Sequence, residues 1–429
     1  MYDLLKERED KGTPINVGSN GAGWMGGGFV SAMRHVPGMR IAVLSDENIS
    51  AARSALVNLG GLKNDEIVET RDDKEAESAL AAGKTVISDD STMAGRLPSV
   101  DVVTDVTPSP ASGAHVALSA IEAGKDVVLI NIETDVAVGS ILKKKAAEKG
   151  VLYSVSSGDE PGCLMELWDF VRCLGYTPVV IGKGKNNPLN TDAVPEDVAE
   201  SAKKDDKDPY QVCSYVDGTK TMFELGCVAN ATGCRPFRPG MIGPVADLDT
   251  VSEIFALKED GGISEFTGGV DYVAGSAMSG GVFITVKVED DRICDDLRYL
   301  KVGKAPYFTF FRPYHLWFLE APISIAKAVM KRETTLVSLD RPVCDVVAVA
   351  KKDLAVGEAM DVFGGYTFRG LIKEKTDAFS EQALPAALAP HAKVVKSVSK
   401  GQVITWADVE LDEKSALVRL RREQDGAWE

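Results

Sequence analysis

The chain has 429 residues, 45% of them hydrophobic and 26% charged, a length beyond what one hydrophobic core organises; it predicts two or three packed units. Acidic residues outnumber basic ones, 64 to 48, and the net charge of -16 argues against nucleic acid and anionic membrane, since such a surface repels both. No stretch approaches the roughly 18 consecutive apolar residues of a membrane span, MYDLLKERED carries charge where a signal peptide has its apolar core, and the seven cysteines form no CxxC pair. Together these predict a cytoplasmic protein without a disulfide framework or a zinc ribbon.

The first 150 residues alternate strand and helix. An apolar run from Ile15 to Gly18 leads into SNGAGWMGGG and then into an apolar-periodic stretch from Phe29 to Met33. Gly21, Gly23 and Gly26 fall on the GxGxxG spacing, which allows a tight turn, close approach of backbone to a pyrophosphate, and close packing of helix on strand. Phosphates would meet the helix N-terminus around Trp24 and Met25; a tight turn without a ligand is the competing reading. Asp46, 20 residues beyond Gly26, either accepts hydrogen bonds from the adenosine ribose, favouring NAD over NADP, or caps the next helix, and Arg53 is placed to turn toward a 2′-phosphate. Further strands are read at Val100–Val106, Asp126–Ile130 and Val151–Val155. Helices are read at Val116–Ala123, with Ser109-Pro110 as cap and first residue, and at Ile141–Lys149. Right-handed crossovers then give a doubly wound parallel sheet, with Thr107-Pro108 and Asn131-Ile132-Glu133 in loops at strand C-termini beside the nicotinamide ribose, or serving only as loop and cap.

After Val155 the pattern changes. Asp159 or Glu160 caps a helix opening with Pro161 and carrying Leu164, Leu167, Trp168 and Val171 on one face; a carboxylate there can also bind a substrate hydroxyl or a divalent cation, Mg or Mn. Strand Val179–Ile181 runs into GKGKNNPLN, where Lys183 and Lys185, two apart, share a side: an anion clamp, a proton donor, or a solvated basic edge. Residues 192–208 are polar and acidic and read as a mobile excursion or lid. Asp217 and Lys220, three apart at a helix start, form either a catalytic carboxylate–lysine pair or a cap and an exposed lysine. Arg312 and His315 stand where an aromatic strand passes into a helix. The first suits a phosphate or carboxylate and the second suits proton transfer or packing. From Val343 onward the texture is short and β-like, with KKDLAVGEAMD and SVSKGQVITWADVEL turning at Gly357 and Gly401.

Taken together, GAGWMG (Gly21–Gly26), YSVSSGDEPG (Tyr153–Gly162), GKGKNN (Gly182–Asn187), VDGTKTMFELGCVANATG (Val216–Gly233), RPYHLWFLEAPIS (Arg312–Ser324) and the two C-terminal phrases resemble the homoserine-dehydrogenase-like family with a C-terminal SAF domain, which includes deoxyxylulose-phosphate reductoisomerase-like enzymes. The resemblance implies an α/β chain with a Rossmann domain, a central α+β substrate and homodimerisation domain, and a β-rich SAF domain; we place these at 1–156, 157–342 and 343–429. For the reductoisomerase-like members it further implies NADPH, a divalent cation, and conversion of 1-deoxyxylulose 5-phosphate to methylerythritol 4-phosphate, with Asp159, Lys183, Asp217, Lys220, Arg312 and His315 in the family's motif segments. Here GDEP and GKGKNNPLN stand where members often carry GDQP and GKGTKYLP, which leaves the substrate open. The expectation is an NAD(P)(H)-dependent oxidoreductase acting on a small anionic hydroxylated substrate: Lys183 or Lys185 as acid or anion clamp, Asp159 and Asp217 as metal or hydroxyl ligands, Glu160 as a second metal ligand, Arg312 as anion anchor. The rivals are a homoserine-type dehydrogenase of another sugar acid, polyol or semialdehyde without isomerase activity, and a non-catalytic nucleotide-sensing or sugar-binding protein.

Overall fold

The computed structural model describes residues 1–427 and divides them into two compact, discontinuous units. The first comprises Met1–Asp159, Leu316–Asp340 and the chain from Glu413 onward; the second comprises Glu160–His315 and Arg341–Asp412. The stretch after Val343 is therefore shared between the two. Among the described residues no helix is long and apolar enough to cross a membrane.

The first unit is built on strands β1 (Ile15–Asn20), β2 (Met39–Ser45), β3 (Ile67–Glu69), β4 (Thr85–Ser88), β5 (Val102–Asp105), β6 (Asp126–Leu129) and β7 (Tyr153–Val155). They form one sheet in the order β3-β4-β2-β1-β5-β6-β7, every pair parallel. The strands read as continuous apolar runs because helices flank them in sequence and the sheet is buried. Ile15, Val17, Leu44, Ile87, Val102 and Val128 lie in its core with Phe29 and Met33 of helix Trp24–Met33. The chain leaves β1 toward β2 on one side and returns to β5 on the other, so the switch point lies between β1 and β5, where a doubly wound sheet opens its ligand crevice.

Helix Pro110–Glu122 starts as its sequence dictates: Pro110 takes the first position and Ser109 Oγ accepts the Ser112 N–H at 3.2 Å. The helix expected at Ile141–Lys149 is twice that length, running Ile132–Lys149, so Ile132 and Glu133 are its first turn rather than a loop. It is broken at Val138 (φ -141). At the break the Gln424 amide takes the place of a helical hydrogen bond: its Nε2 donates to Ala137 O at 3.0 Å and its Oε1 accepts from Ile141 N at 3.2 Å. The kink's orphaned backbone groups are thus satisfied by helix Ala416–Gly426, 283 residues away along the chain from Ile141.

The second unit holds strands β8 (Thr177–Lys185), β9 (Arg235–Pro236), β10 (Gly269–Ala274), β11 (Val282–Lys287), β12 (Gly303–Lys304) and β13 (Tyr307–Arg312), in the mixed order β12-β13-β11-β8-β10-β9. Central β8 is parallel to β10 and antiparallel to β11. It runs the full nine residues to Lys185, well past the predicted end at Ile181, and only its first residue is exposed. Helices Glu160–Cys173 and Thr219–Thr232 belong to the same unit.

The acidic stretch at 192–208 is not an unstructured excursion. It contains helix Pro195–Lys204, whose Val198 packs with Ala193 and Cys213. Its i, i+4 pair Val198 and Ala202 supplied too short an apolar stripe to stand out among the charges. In residues 341–412, β14 (Cys344–Ala350) and β15 (Phe368–Glu374) pair antiparallel, as do β16 (Lys393–Val394) and β17 (Val409–Glu410). Gly357 and Gly401 lie at turns with φ of +91 and +82.

Candidate functional site

Two polar regions carry the chemistry, one in each unit. In the first, the glycine loop connects β1 to helix Trp24–Met33 at the β1/β5 switch point. Gly21 has φ +105, and a Cβ there would meet Thr107, the residue two beyond β5. At Gly26 a Cβ would fall 2.0 Å from the Gly21 carbonyl oxygen, so only glycine lets the helix approach the strand this closely. At Gly23, the N-cap, a Cβ would meet nothing within 4 Å. These are the three different demands of a dinucleotide loop, and the open space over Gly23 is where a pyrophosphate can approach backbone. The residues present fit the cofactor.

The loop is latched from β2. Asp46 Oδ2 accepts the Ala22 N–H at 2.7 Å and its Oδ1 accepts the Asn48 N–H at 2.8 Å. The cap of the following helix is Asn48, whose Oδ1 accepts from Ala51 N at 3.1 Å, so the capping reading of Asp46 is corrected. Both Asp46 oxygens retain lone pairs for ribose hydroxyls. Arg53 does not turn toward a 2′-phosphate position; it pairs with Glu69 at 3.0 Å. Trp24 stacks edge-on against Trp317 and Phe318, with ring centroids 5.4 and 6.1 Å away, while Met25 packs against the unit's core.

Behind the loop lies a network that sequence reading missed. Asp105, wholly buried, accepts from Asn20 Nδ2 at 2.7 Å, from Thr107 Oγ1 at 2.8 Å and from Asn131 Nδ2 at 3.2 Å; burial pushes its carboxyl up against these bonds. Asn131 also caps helix Ile132–Lys149 through Thr134 N and donates to the Thr107 and Ser109 carbonyls. Thr107 and Asn131 therefore brace the crevice floor, and Glu133 sits half-buried in the first helical turn. A polar Asn20–Asp105 pair at the ends of two apolar strands was the available signal.

In the second unit, Lys183 and Lys185 share one side of β8 and both are buried. Lys183 Nζ bonds to the carboxylates of Glu160, at the start of helix Glu160–Cys173, and Glu224, in helix Thr219–Thr232. Burial alone would lower its amine, but the two carboxylates outweigh it and hold the amine well above the ordinary lysine value. Glu224 went unread, although a glutamate between Met222 and Leu225 on an apolar helix face is itself the signal of a buried charge. Lys185 Nζ donates instead to two carbonyls, Asn187 O at 2.8 Å and Tyr215 O at 2.7 Å. Desolvation, aided by the charge of Lys183, pulls its amine down to about 8. His315 is half-buried, with Nδ1 2.9 Å from Gly280 O and Nε2 3.6 Å from Glu160 Oε1. Arg312 is engaged by Glu166 at 2.9 Å and Cys163 Sγ at 3.1 Å, under the Tyr314 ring.

Asp217 has a different partner from the one its spacing suggested. It is fully buried and pairs with Lys351 at 3.1 Å, not with Lys220, which is half-buried one residue into the next helix. Burial raises its carboxyl and Lys351 opposes the rise. The Asp217 oxygens are engaged by Lys351 and by the Thr219 N–H. At Glu160 the Lys183 ammonium pairs with one carboxylate oxygen. Asp159, half-buried, is the last residue of the first unit's opening segment.

The family model described as the oxidoreductase DRL catalytic domain matches residues 158–321, the stretch that contains Glu160, Lys183, Lys185, Glu224, Arg312 and His315. No curated protein matches the chain in sequence. Solved structures similar to it include a probable dehydrogenase from Thermotoga maritima (14% identity, 75% of this chain and 91% of that one, TM-score 0.44). Others are a scyllo-inositol dehydrogenase from Lactobacillus casei (12%, 76% and 92%, TM-score 0.40) and a 3-ketoreductase from Actinomadura kijaniata (13%, 75% and 91%, TM-score 0.39). The parallel doubly wound sheet and the matched catalytic segment make this chain an oxidoreductase.

Proposed function

We propose that the chain is an NAD(P)(H)-dependent oxidoreductase of a small hydroxylated substrate, in which Lys185 exchanges the proton at the substrate oxygen. The observation that carries this is Lys185 itself: a buried amine at about 8, bonded to carbonyls rather than to a carboxylate. Such a group is charged enough near neutrality to donate a proton and weak enough to lose it. The cofactor, when bound to the glycine loop, supplies or accepts the hydride. In reduction the substrate carbonyl carbon gains hydride, its oxygen takes the proton from Lys185, and an alcohol and a neutral amine result; oxidation runs the reverse. Lys183, clamped by Glu160 and Glu224, keeps its charge and lowers the Lys185 amine. Asp46, with its contact to Ala22, favours NAD through the ribose hydroxyls.

The best-named candidate reaction remains the reductoisomerase conversion of 1-deoxy-D-xylulose 5-phosphate, supported by the motif segments from Tyr153 to Ser324. A second reading, a simple dehydrogenase of an uncharged polyol, is favoured by the pairing of Lys183 and Arg312 with glutamates, which leaves less positive charge for a phosphate. Oxidation of NADPH or NADH by the purified protein against deoxyxylulose phosphate, polyol-derived ketones and semialdehydes, with and without magnesium or manganese, separates them. Turnover of the phosphate with a rearranged carbon skeleton supports the first. Turnover of uncharged ketones alone supports the second, and failure of both cofactors to bind in titration removes the oxidoreductase mechanism.

A further inference from the structure

We propose that Lys351, which lies outside the matched catalytic segment, is a positioning residue for Lys185. It fixes the corner between helices Pro209–Val216 and Thr219–Thr232, from which the Tyr215 carbonyl holds the Lys185 ammonium. The bearing of this on turnover rests on the reading of Lys185 as the proton donor; the bearing on Lys185 itself does not.

The chain of contacts is continuous. Lys351 Nζ lies 3.1 Å from Asp217 Oδ2 and donates to Gly365 O at 2.7 Å. Its side chain and that of Asp217 are 2% and 0% exposed. Asp217 ties both helices: its N–H closes the first on Cys213 O at 2.8 Å, and its Oδ1 accepts the Thr219 N–H at 2.9 Å to open the second. Gly218 between them has φ +87, so the corner is a sharp reversal that side chains must hold. β15 adds a second tie, Gly370 N to Thr219 Oγ1 at 2.9 Å. Tyr215, two residues before Asp217, presents its carbonyl to Lys185 Nζ at 2.7 Å. The helix that opens at Thr219 carries Glu224, the partner of Lys183. One buried ion pair thus sets the carbonyl that holds Lys185 and the start of the helix that clamps its neighbour.

Energetics favour this role over plain stabilisation. Two charges removed from water lose about as much in solvation as they regain from each other, and a well-packed apolar pair of similar volume is often as stable. What an ion pair adds at a reversal is a single defined geometry. The charged groups facing Lys185 are Lys183 on its own strand, Glu224 on the following helix and Asp217 at the corner.

The test is a pH titration of full-length protein carrying ε-13C-lysine, followed by NMR, with the Lys185 signal assigned by Lys185→Arg. The wild-type midpoint is expected at about 8. The double variant Lys351→Met/Asp217→Asn removes both charges together and keeps an acceptor for the Thr219 N–H. In it, Lys185 is expected to gain water and its midpoint to rise by about a unit or more toward the ordinary lysine value, with turnover falling about tenfold. Lys351→Met alone is the second variant, with the same direction, and Lys351→Arg is expected to hold the wild-type midpoint. An unchanged midpoint in either methionine variant overturns the proposal. If the midpoint moves but Lys185→Met leaves turnover intact, the proton-donor reading fails while the positioning role stands; the opposite pattern removes the positioning role alone.

Discussion

The glycine loop and the lysine cluster are made of opposite materials. The loop works through what is missing: no Cβ at Gly21, Gly23 and Gly26, so that backbone approaches backbone and leaves space above it. The cluster works through what is buried: Lys183, Lys185, Glu160 and Glu224 are each under 10% exposed. A loop of this kind is set by local sterics and fails when an atom is added. A cluster of this kind is set by long-range pairing and fails when a charge is removed.

The largest effect expected from this contrast is at Lys185. Lys185→Met keeps the volume and removes the proton, so turnover should fall by about 10²- to 10⁴-fold with little change in cofactor affinity, measured by steady-state kinetics and fluorescence titration. Equal loss of both would place Lys185 outside the substrate pocket. The pH dependence should mirror itself with direction: reduction requires the charged amine and declines above about 8, while oxidation requires the neutral amine and rises up to about 8. Stability carries the same signature. Between about 8 and the ordinary value of 10.5 the unfolded chain binds a proton that the folded Lys185 has released, so this group makes stability increase with pH across that window. Denaturant unfolding of wild type and Lys185→Met at the two ends of the window checks it; the variant should lose that increase.

The steric half is tested at Gly26. In Gly26→Ala the new methyl would sit 2.0 Å from the Gly21 carbonyl, so helix and loop must separate. Dinucleotide binding should weaken by about tenfold or more, with about 1–3 kcal/mol of stability lost, read by titration and thermal unfolding. The Lys185 titration midpoint should stay where it is. Normal binding by a folded Gly26→Ala protein would show that the loop does not seat the cofactor.

This division also explains what the sequence disclosed. The sheet, the loop and the Ser109-Pro110 helix start depend on neighbours within a few residues, and periodicity and cap chemistry report those directly. Asp217 and Lys220 fit a local rule as a pair, yet the true partner of Asp217 is Lys351, 134 residues on. No spacing rule reaches that far. Gln424 in the break at Val138 was illegible for the same reason: it is an ordinary polar residue in its own segment and gains its meaning only from a partner folded onto it, whereas Glu224 showed that it was buried but not that Lys183 was its partner.

The smallest expected effect separates two residues, two apart in the chain, that divide between them the two roles the sequence offered for Asp46 alone. Asn48 caps helix Ile49–Ser54 through Ala51 N, and Asp46 holds the glycine loop through Ala22 N. Asn48→Ala removes an exposed cap and should cost about 1 kcal/mol, a shift of roughly 2–4 °C in thermal midpoint, with the dissociation constant for NADH unchanged. Asp46→Ala should do the reverse, weakening NADH severalfold through the loop and the ribose hydroxyls while moving the midpoint less. Thermal scans with and without NADH measure both quantities on the same samples. If Asn48→Ala weakened the cofactor as much as Asp46→Ala, the latch and the cap would be one device, and the loop would owe its shape to the following helix as well as to its own missing side chains.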